Sequence, residues 1–360
     1  MVKLDRVLKE SELSGIVGPG DKVFVKCHMG APLTTRYLRP IYVRRIVERV
    51  KSLGGKPTVI ETTGLGLLDP RGTAAKYMKV GASHGFTEEV LGAPIVIADG
   101  ELGLDSMDVR VGGARGWDVP VAGMLNEADA LISAAHFKGH IGVGFGGAMK
   151  NIGVGLVSKK GKFVFHYKEM PKVNEGGCNG CGHCLEVCPV KGAVKMRGDK
   201  AVIDAELCVG CLACVAKCEP RAIVVKRRED PTELQLRLAD MVAAVMSVVG
   251  KENALFVNFL LEVDWQCDCE HFQEGWSDVP IVPDLGIVAS KDPVAADAAS
   301  MDLINRAPGM SGSRAEEVGA LGAGTDKFAA IYPKIGWRVA LRACEELGVG
   351  STAYEVVQVG

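Results

Sequence analysis

The sequence predicts an α/β protein: a mixed or parallel sheet body flanked by helices, with a smaller α+β module inserted into it. Three observations carry this. From position 22 to position 135, short apolar strands alternate with helical stretches. That alternation stops near Tyr167 and resumes near Pro231. The gap between holds a duplicated cysteine run with its own local pattern. The body is therefore expected in two parts, 1–170 and 229–360, with the module at 171–228.

In chain order, apolar positions at helical spacing run over 5–17 and stop before Gly18-Pro19-Gly20. A strand at 22–27 (KVFVKC) delivers Cys27-His28-Met29-Gly30 to a loop. Residues 40–53 form a helix closed by Gly54-Gly55. Residues 58–61 form a short buried strand before a glycine-rich stretch at 62–68. Further strands fall at 95–98 and 128–135. After the module, Pro231 opens a helix to Val249, well placed in a first turn. Strands follow at 254–263 and 284–290. Asp292 caps a helix running to Asn305, another helix spans 338–347, and 354–359 reads as a closing strand. Basic 158–162 and 168–172 and acidic Glu229-Asp230 mark the joints. Asp292 and Asp297 read as capping and surface carboxylates.

The module carries the strongest signal. Its first half reads Cys178-x₂-Cys181-x₂-Cys184-x₃-Cys188, and its second repeats this as Cys208-x₂-Cys211-x₂-Cys214-x₃-Cys218. A hairpin with its turn at Arg197-Gly198-Asp199 joins the halves, and 221–225 repeats the short strand after the first run. A disulfide framework suits small secreted domains. Zinc sites pair two Cys-x₂-Cys elements and have no use for a third and fourth cysteine at these steps. Iron–sulfur cubanes need four converging thiolates, which this spacing supplies. The runs resemble those of two-cluster bacterial ferredoxins, in which the fourth cysteine of each run ligates the other cluster. The resemblance assigns Cys178, Cys181, Cys184 and Cys218 to one 4Fe-4S cluster. It assigns Cys208, Cys211, Cys214 and Cys188 to the second. His183, between ligands, is expected to tune a cluster through a hydrogen bond.

Composition narrows the function classes. The 360 residues are 48% hydrophobic and 24% charged, ordinary globular values. A formal net charge of −2 gives no basic bias, so nucleic acid is not an expected partner. No run approaches a membrane span, and the first residues lack the apolar core of a secretory leader. Oxygen-sensitive clusters and four further cysteines (Cys27, Cys267, Cys269, Cys344) point to a reducing cytoplasm.

A second constellation spans 133–155, SAAHFKGHIGVGFGGAMKNIGVG. A strand runs into His136, Lys138 and His140, then a glycine-rich loop, then Lys150-Asn151. Backbone amides around Gly142, Gly144 and Gly146, with Asn151, could cradle an anionic substrate, and Lys138 and Lys150 add positive charge. Glycines that only permit close packing are the competing explanation. His136 and His140 are candidate proton donors because imidazole titrates near neutrality. The glycine run lacks the spacing and following acidic residue of a nicotinamide or flavin site. Downstream, Cys267-Asp268-Cys269 lies in a polar loop with Asp264, Glu270 and His271. Two buried thiols packed as small hydrophobes would explain it. Alternatively, Cys267 and Cys269 converge with one or both of His136 and His140 on a further metal ion or a substrate, if the loop curls. His28 could join that site or be a satisfied loop histidine, while His84 and His166 read as structural.

With these residues in this order, Asp129-Ala130-Leu131-Ile132, His136-x-Lys138-x-His140, Lys150-Asn151, Cys267-Asp268-Cys269 and Asp292-Pro293-Val294-Ala295-x-Asp297, the chain resembles the domain-of-unknown-function 362 family. Many members of that family carry a two-cluster ferredoxin insert. The resemblance implies an iron–sulfur protein with an α/β body and no particular reaction. Three functional readings stay open. One is a ferredoxin-type oxidoreductase passing single electrons to a substrate or metal site in the body. Another is a non-catalytic electron carrier or subunit serving a partner enzyme. The third is a metal-dependent non-redox enzyme with structural clusters. The first two need an electron donor or acceptor protein.

Overall fold

The computed structural model describes residues 1–112, 116–269 and 279–359. β-Branched and aromatic runs such as Lys22–Cys27 and Ala254–Leu260 suit buried strands and form them. Six strands pair in the order Gly286–Ser290, Ala254–Leu260, Ala130–His136, Lys22–Cys27, Lys56–Glu61, Ile95–Ile97. Every pairing is parallel except the antiparallel edge between Ala254–Leu260 and Gly286–Ser290. This is the expected mixed α/β sheet. Alternation along the strands splits the apolar core in two. Phe24, Leu131 and Phe256 pack with helix Pro231–Val249, whereas Val23, Val25 and Ile132 pack with helix Pro40–Ser52. Cutting a fully buried ring such as Phe256 to alanine would cost about 3–5 kcal/mol.

The module is inserted, and its two ends run side by side. Tyr167 bridges Arg227 in antiparallel sense, and the Lys168 amide donates to the Lys226 carbonyl at 2.8 Å. Lys172–Val173 then pairs with Ile223–Val224. Within the module, helices His183–Glu186 and Ala213–Lys217 flank the hairpin Val194–Arg197/Lys200–Ile203, the expected duplication.

Three expectations are corrected. The helix expected over 5–17 is Val2–Glu10 followed by a 3₁₀ turn at Leu13–Gly15. The Ser11 hydroxyl donates to the Val7 carbonyl at 2.6 Å, and Glu12 turns to φ 55°. Serine competing for helix carbonyls ends the helix early. The closing strand at 354–359 has no strand partner; Val356 and Val357 are exposed, so no apolar face draws the tail onto a sheet. The basic 158–162 stretch, expected to mark a joint, lies within the body. It opens helix Lys159–His166, with Lys159 and Lys162 both buried. Among the described residues, no helix is long and apolar enough to cross a membrane.

Candidate active site and cluster cavities

Open α/β sheets bind ligands beyond the carboxyl ends of their strands, where strand order reverses. Here the reversal lies between Lys22–Cys27 and Ala130–His136. The strand ends deliver Lys26 and His28, Glu61 to Thr63, and Lys138 with His140. The 264–269 loop arrives after Ala254–Leu260. A cavity of about 790 Å³ opens among them, its wall carrying seven Lys or Arg and four Asp or Glu residues. The expected residues Lys138, His140, Gly142, Gly146, Lys150 and Asn151 line it.

Gly144 and His136 do not. Residues 138–146 form a hairpin, Lys138–His140 against Gly144–Gly146, rather than an open anion loop. Gly144 sits at φ +89° with the place of a Cβ 2.6 Å from the Trp337 Cβ, so it is a packing glycine. The first amides of helix Ala148–Gly153 are already taken: Ala148 and Met149 donate to the Asp297 carboxylate at 2.7 and 2.9 Å. Asp297, expected at the surface, is fully buried there, and burial pushes it up to about 6. Asp292 does cap its own helix, as expected. Lys150 and Asn151 share the short helix. Asn151 fastens the site, donating to the Ser133 hydroxyl at 2.9 Å and accepting from the Lys26 ammonium at 3.1 Å.

Two buried ion pairs organise the floor. Lys26 meets Glu61 at 2.9 Å, and Glu61 also meets the His28 Nδ1 at 2.8 Å. Burial alone would push the Glu61 carboxyl up, but Lys26 and His28 outweigh it and hold it at about 2. Lys138 meets Asp268 at 3.0 Å. Burial again opposes the charge, and Lys138, His28 and His136 together hold Asp268 well below the usual range. His136 therefore serves Asp268 from behind the wall: its Nε2 donates to the Leu261 carbonyl at 2.9 Å, and its Nδ1 lies 3.6 Å from Asp268. His166, read as structural, lines the cavity; burial, then His140, holds it neutral at about 3. The His84 Nδ1 donates to the Met29 carbonyl, and its ring stacks on Tyr37, away from the site.

The loop after Ala254–Leu260 does curl. Gly139 donates to the Asp264 carbonyl and Ala31 to that of Asp268, at 2.8 and 2.9 Å, and Arg71 donates to the Cys269 carbonyl at 2.7 Å. This brings ligand atoms of His140, Cys267 and Cys269 within 4.8 Å of one another. Lys150 donates to both sulfurs, at 3.4 and 3.6 Å. The His140 Nδ1 accepts from the Gly142 and Val143 amides at 3.0 and 3.2 Å. That leaves its Nε2 to carry the proton and to hydrogen-bond Cys269. Burial, then Lys150, keeps His140 neutral. The donor set fits poorly to a metal ion. The one imidazole lone pair is engaged by backbone amides, and a buried ammonium already faces both sulfurs. Glu270 and His271, grouped with this loop from the sequence, lie outside the described residues.

All twelve cysteines are free. In the module, Cys178, Cys181, Cys184 and Cys218 face one small apolar cavity, and Cys188, Cys208, Cys211 and Cys214 face another. Backbone amides point at these sulfurs, among them Ala222 to Cys218 at 3.2 Å. Four thiols around each cavity, with amide donors behind them, fit a cubane cluster. His183 lines the first cavity. The second cavity is the inner one. The Leu67 amide donates to the Cys211 carbonyl at 2.9 Å, Leu67 packs with Cys211 and Ala213, and Gly210 lies against the Phe163 ring. Leu67 belongs to the glycine-rich 62–72 loop, whose Gly64, Asp69 and Arg71 wall the large cavity. The first cavity is outermost, with Cys181 exposed.

Sequence reasoning missed the roles of Lys26, Glu61, Arg71, Lys162 and Asp268. Lys26 had a signal: it shares strand parity with the core residue Phe24, so it had to point inward. Asp268 reads from sequence only as one more polar residue between two cysteines. The others are single residues without a motif.

The chain is 42% identical over 59 residues to one subunit of the ion-translocating oxidoreductase complex of Methanosarcina acetivorans, covering 16% of this chain and 22% of that one. It is 29% identical over 102 residues to one subunit of the H(2):CoB-CoM heterodisulfide,ferredoxin reductase of Methanothermobacter thermautotrophicus, covering 23% of this chain and 15% of that one. The chain thus spans under a quarter of the length of either relative. Among solved structures, the lactate racemase apoprotein from Thermoanaerobacterium thermosaccharolyticum aligns at a TM-score of 0.42 and 14% identity, over 85% of this chain and 56% of that one. The family model described as Domain of unknown function (DUF362) matches residues 23–302, from the first sheet strand through the helix carrying Asp297, and the chain belongs to that family.

Proposed function

We propose that this protein is a ferredoxin-type oxidoreductase that passes single electrons through two 4Fe-4S clusters to a small anionic substrate in the cavity at the sheet's carboxyl edge. Cys178, Cys181, Cys184 and Cys218 would hold the outer cluster, and Cys188, Cys208, Cys211 and Cys214 the inner one. The clusters would supply one-electron transfer. The observation that carries the reading is the seating of the inner cysteine cavity on the loop that walls the 790 Å³ cavity. The electron-transfer names of the two relatives support the same class. The exposed Cys181 face suits docking of a protein electron donor.

The body's own residues would bind and protonate. The excess of Lys and Arg on the wall favours an anion. Burial lowers Lys162 to about 8, with Asp99 opposing, so its ammonium can give up a proton near neutral pH. His140 is a hydrogen-bond donor through Nε2 rather than a proton source. A carrier serving a partner enzyme would use the same outer face, but would leave the cavity without a role.

Anaerobic metal analysis with EPR of the dithionite-reduced protein tests this. About eight irons per chain with two interacting cubane signals are expected. Stoichiometric zinc, or about four irons, would overturn the two-cluster assignment.

A further inference from the structure

We propose that Cys267 and Cys269 form a dithiol–disulfide couple, with Cys269 the thiolate facing the cavity, Cys267 the resolving thiol behind it, and an anionic small-molecule disulfide as substrate. Cys269 lines the cavity, whereas Cys267 is fully buried. The two sulfurs lie within 4.8 Å and hydrogen-bond each other, so a disulfide needs them drawn together to about 2 Å. Three donors converge on Cys269: the Cys267 thiol, the Lys150 ammonium and the His140 Nε2–H. Such a microenvironment makes the thiolate, the nucleophile in thiol–disulfide exchange. Those donors, the Cys267 hydrogen bond first, hold Cys269 well below the usual thiol range, while burial pushes Cys267 well above it. An attacking thiolate and a protonated resolving thiol are the division of labour that the exchange needs.

The steps balance. The Cys269 thiolate attacks one sulfur of R–S–S–R′, forming Cys269–S–S–R and expelling R′–S⁻, which takes the Cys267 proton. The Cys267 thiolate then attacks the Cys269 sulfur, forming the Cys267–Cys269 disulfide and releasing R–S⁻. Two electrons and one proton restore the Cys267 thiol and the Cys269 thiolate. The electrons come singly from a donor of the iron–sulfur class; that donor and the anionic character of the substrate rest on the reading above.

The experiment uses the full chain, purified anaerobically and equilibrated in buffers of graded reduced-to-oxidised dithiothreitol ratio. Iodoacetamide quenching and mass spectrometry of the peptide holding both cysteines follow. A single two-electron transition is expected, from two alkylated cysteines to an unalkylated peptide two hydrogens lighter. In the reduced protein Cys269 should alkylate about tenfold or more faster than Cys267 at pH 7, and Lys150→Met should narrow that gap. Free thiols at every dithiothreitol poise would overturn the proposal. So would one divalent metal per chain that is lost in Cys269→Ser. Iron content measured on the same samples separates failure of the couple from failure of the cluster reading.

Discussion

Replacing Glu61 by glutamine leaves the Lys26 ammonium in a buried site with amide oxygens for acceptors and its paired carboxylate gone. Both charges are almost inaccessible, and they lie 2.9 Å apart. The Glu61 carboxyl is held at about 2 against an ordinary 4.5. At 1.36 kcal/mol per unit this corresponds to roughly 3 kcal/mol of native-state stabilisation of the carboxylate. Removing one member of a buried pair costs about 3–5 kcal/mol, because the other is left uncompensated. Glu61→Gln should therefore lose about 3–5 kcal/mol, and Lys26→Met/Glu61→Gln should recover most of it. The four tryptophans, Trp117, Trp265, Trp276 and Trp337, all lie outside 171–228, so urea unfolding followed by tryptophan fluorescence reports the body alone. The sign with pH is fixed. A depressed folded-state pKa gives stability that is present above about 4.5 and lost as pH falls towards about 2. That acid-side loss should be smaller in Glu61→Gln. A single-variant cost below about 1 kcal/mol, or a double variant as costly as the sum of the singles, would refute the buried-pair account.

Other outcomes follow from the same geometry. Cys211→Ser should cut iron from about eight to about four per chain while the outer-cluster EPR signal persists; full iron would remove Cys211 from the ligand set. Gly210→Ala places a Cβ 2.1 Å from the Phe163 ring at φ +66°, so it should loosen the module, read as faster hydrogen exchange at 159–167 with iron retained. Unchanged exchange there would refute the docking role. Asp297, raised to about 6 from 3.8, costs stability as pH rises between those values, by roughly 3 kcal/mol. Asp297→Asn should flatten the fall in urea midpoint across that window, and an unchanged slope would assign it to another group.

The sequence was most legible where spacing alone dictates geometry. Each cysteine run supplies three thiols from one tight loop, the resemblance to two-cluster ferredoxins implied a fourth from the other half, and the two cavities are lined in that way. The strands read well because KVFVKC and ALFVNFL carry their own β-forming character. What stayed hidden needs contacts between distant segments. Lys26 and Glu61 meet because parallel pairing sets Lys26 beside Ile60, a register no local pattern announces. The glycine run read as an anion loop because its amides were counted as free. The carboxylate that occupies the amides at its end comes from Asp297, 149 residues from Ala148. The convergence of Cys267 and Cys269 with His140 depended on a curl that backbone bonds from Gly139 and Ala31 impose from two other elements. His136 fell outside the trio because the strand it ends turns its ring towards Leu261.

The side-by-side exit and re-entry of the inserted module also bears on how such a chain could be assembled. Tyr167 and Arg227 already face each other as an antiparallel pair, the arrangement a two-residue turn closes. The whole cysteine-rich segment therefore occupies the tip of what would otherwise be an ordinary hairpin. A cassette of this kind can be gained or lost in one genetic event without re-threading the sheet. Its double tether lets it arrive already oriented towards the cavity that it would supply with electrons.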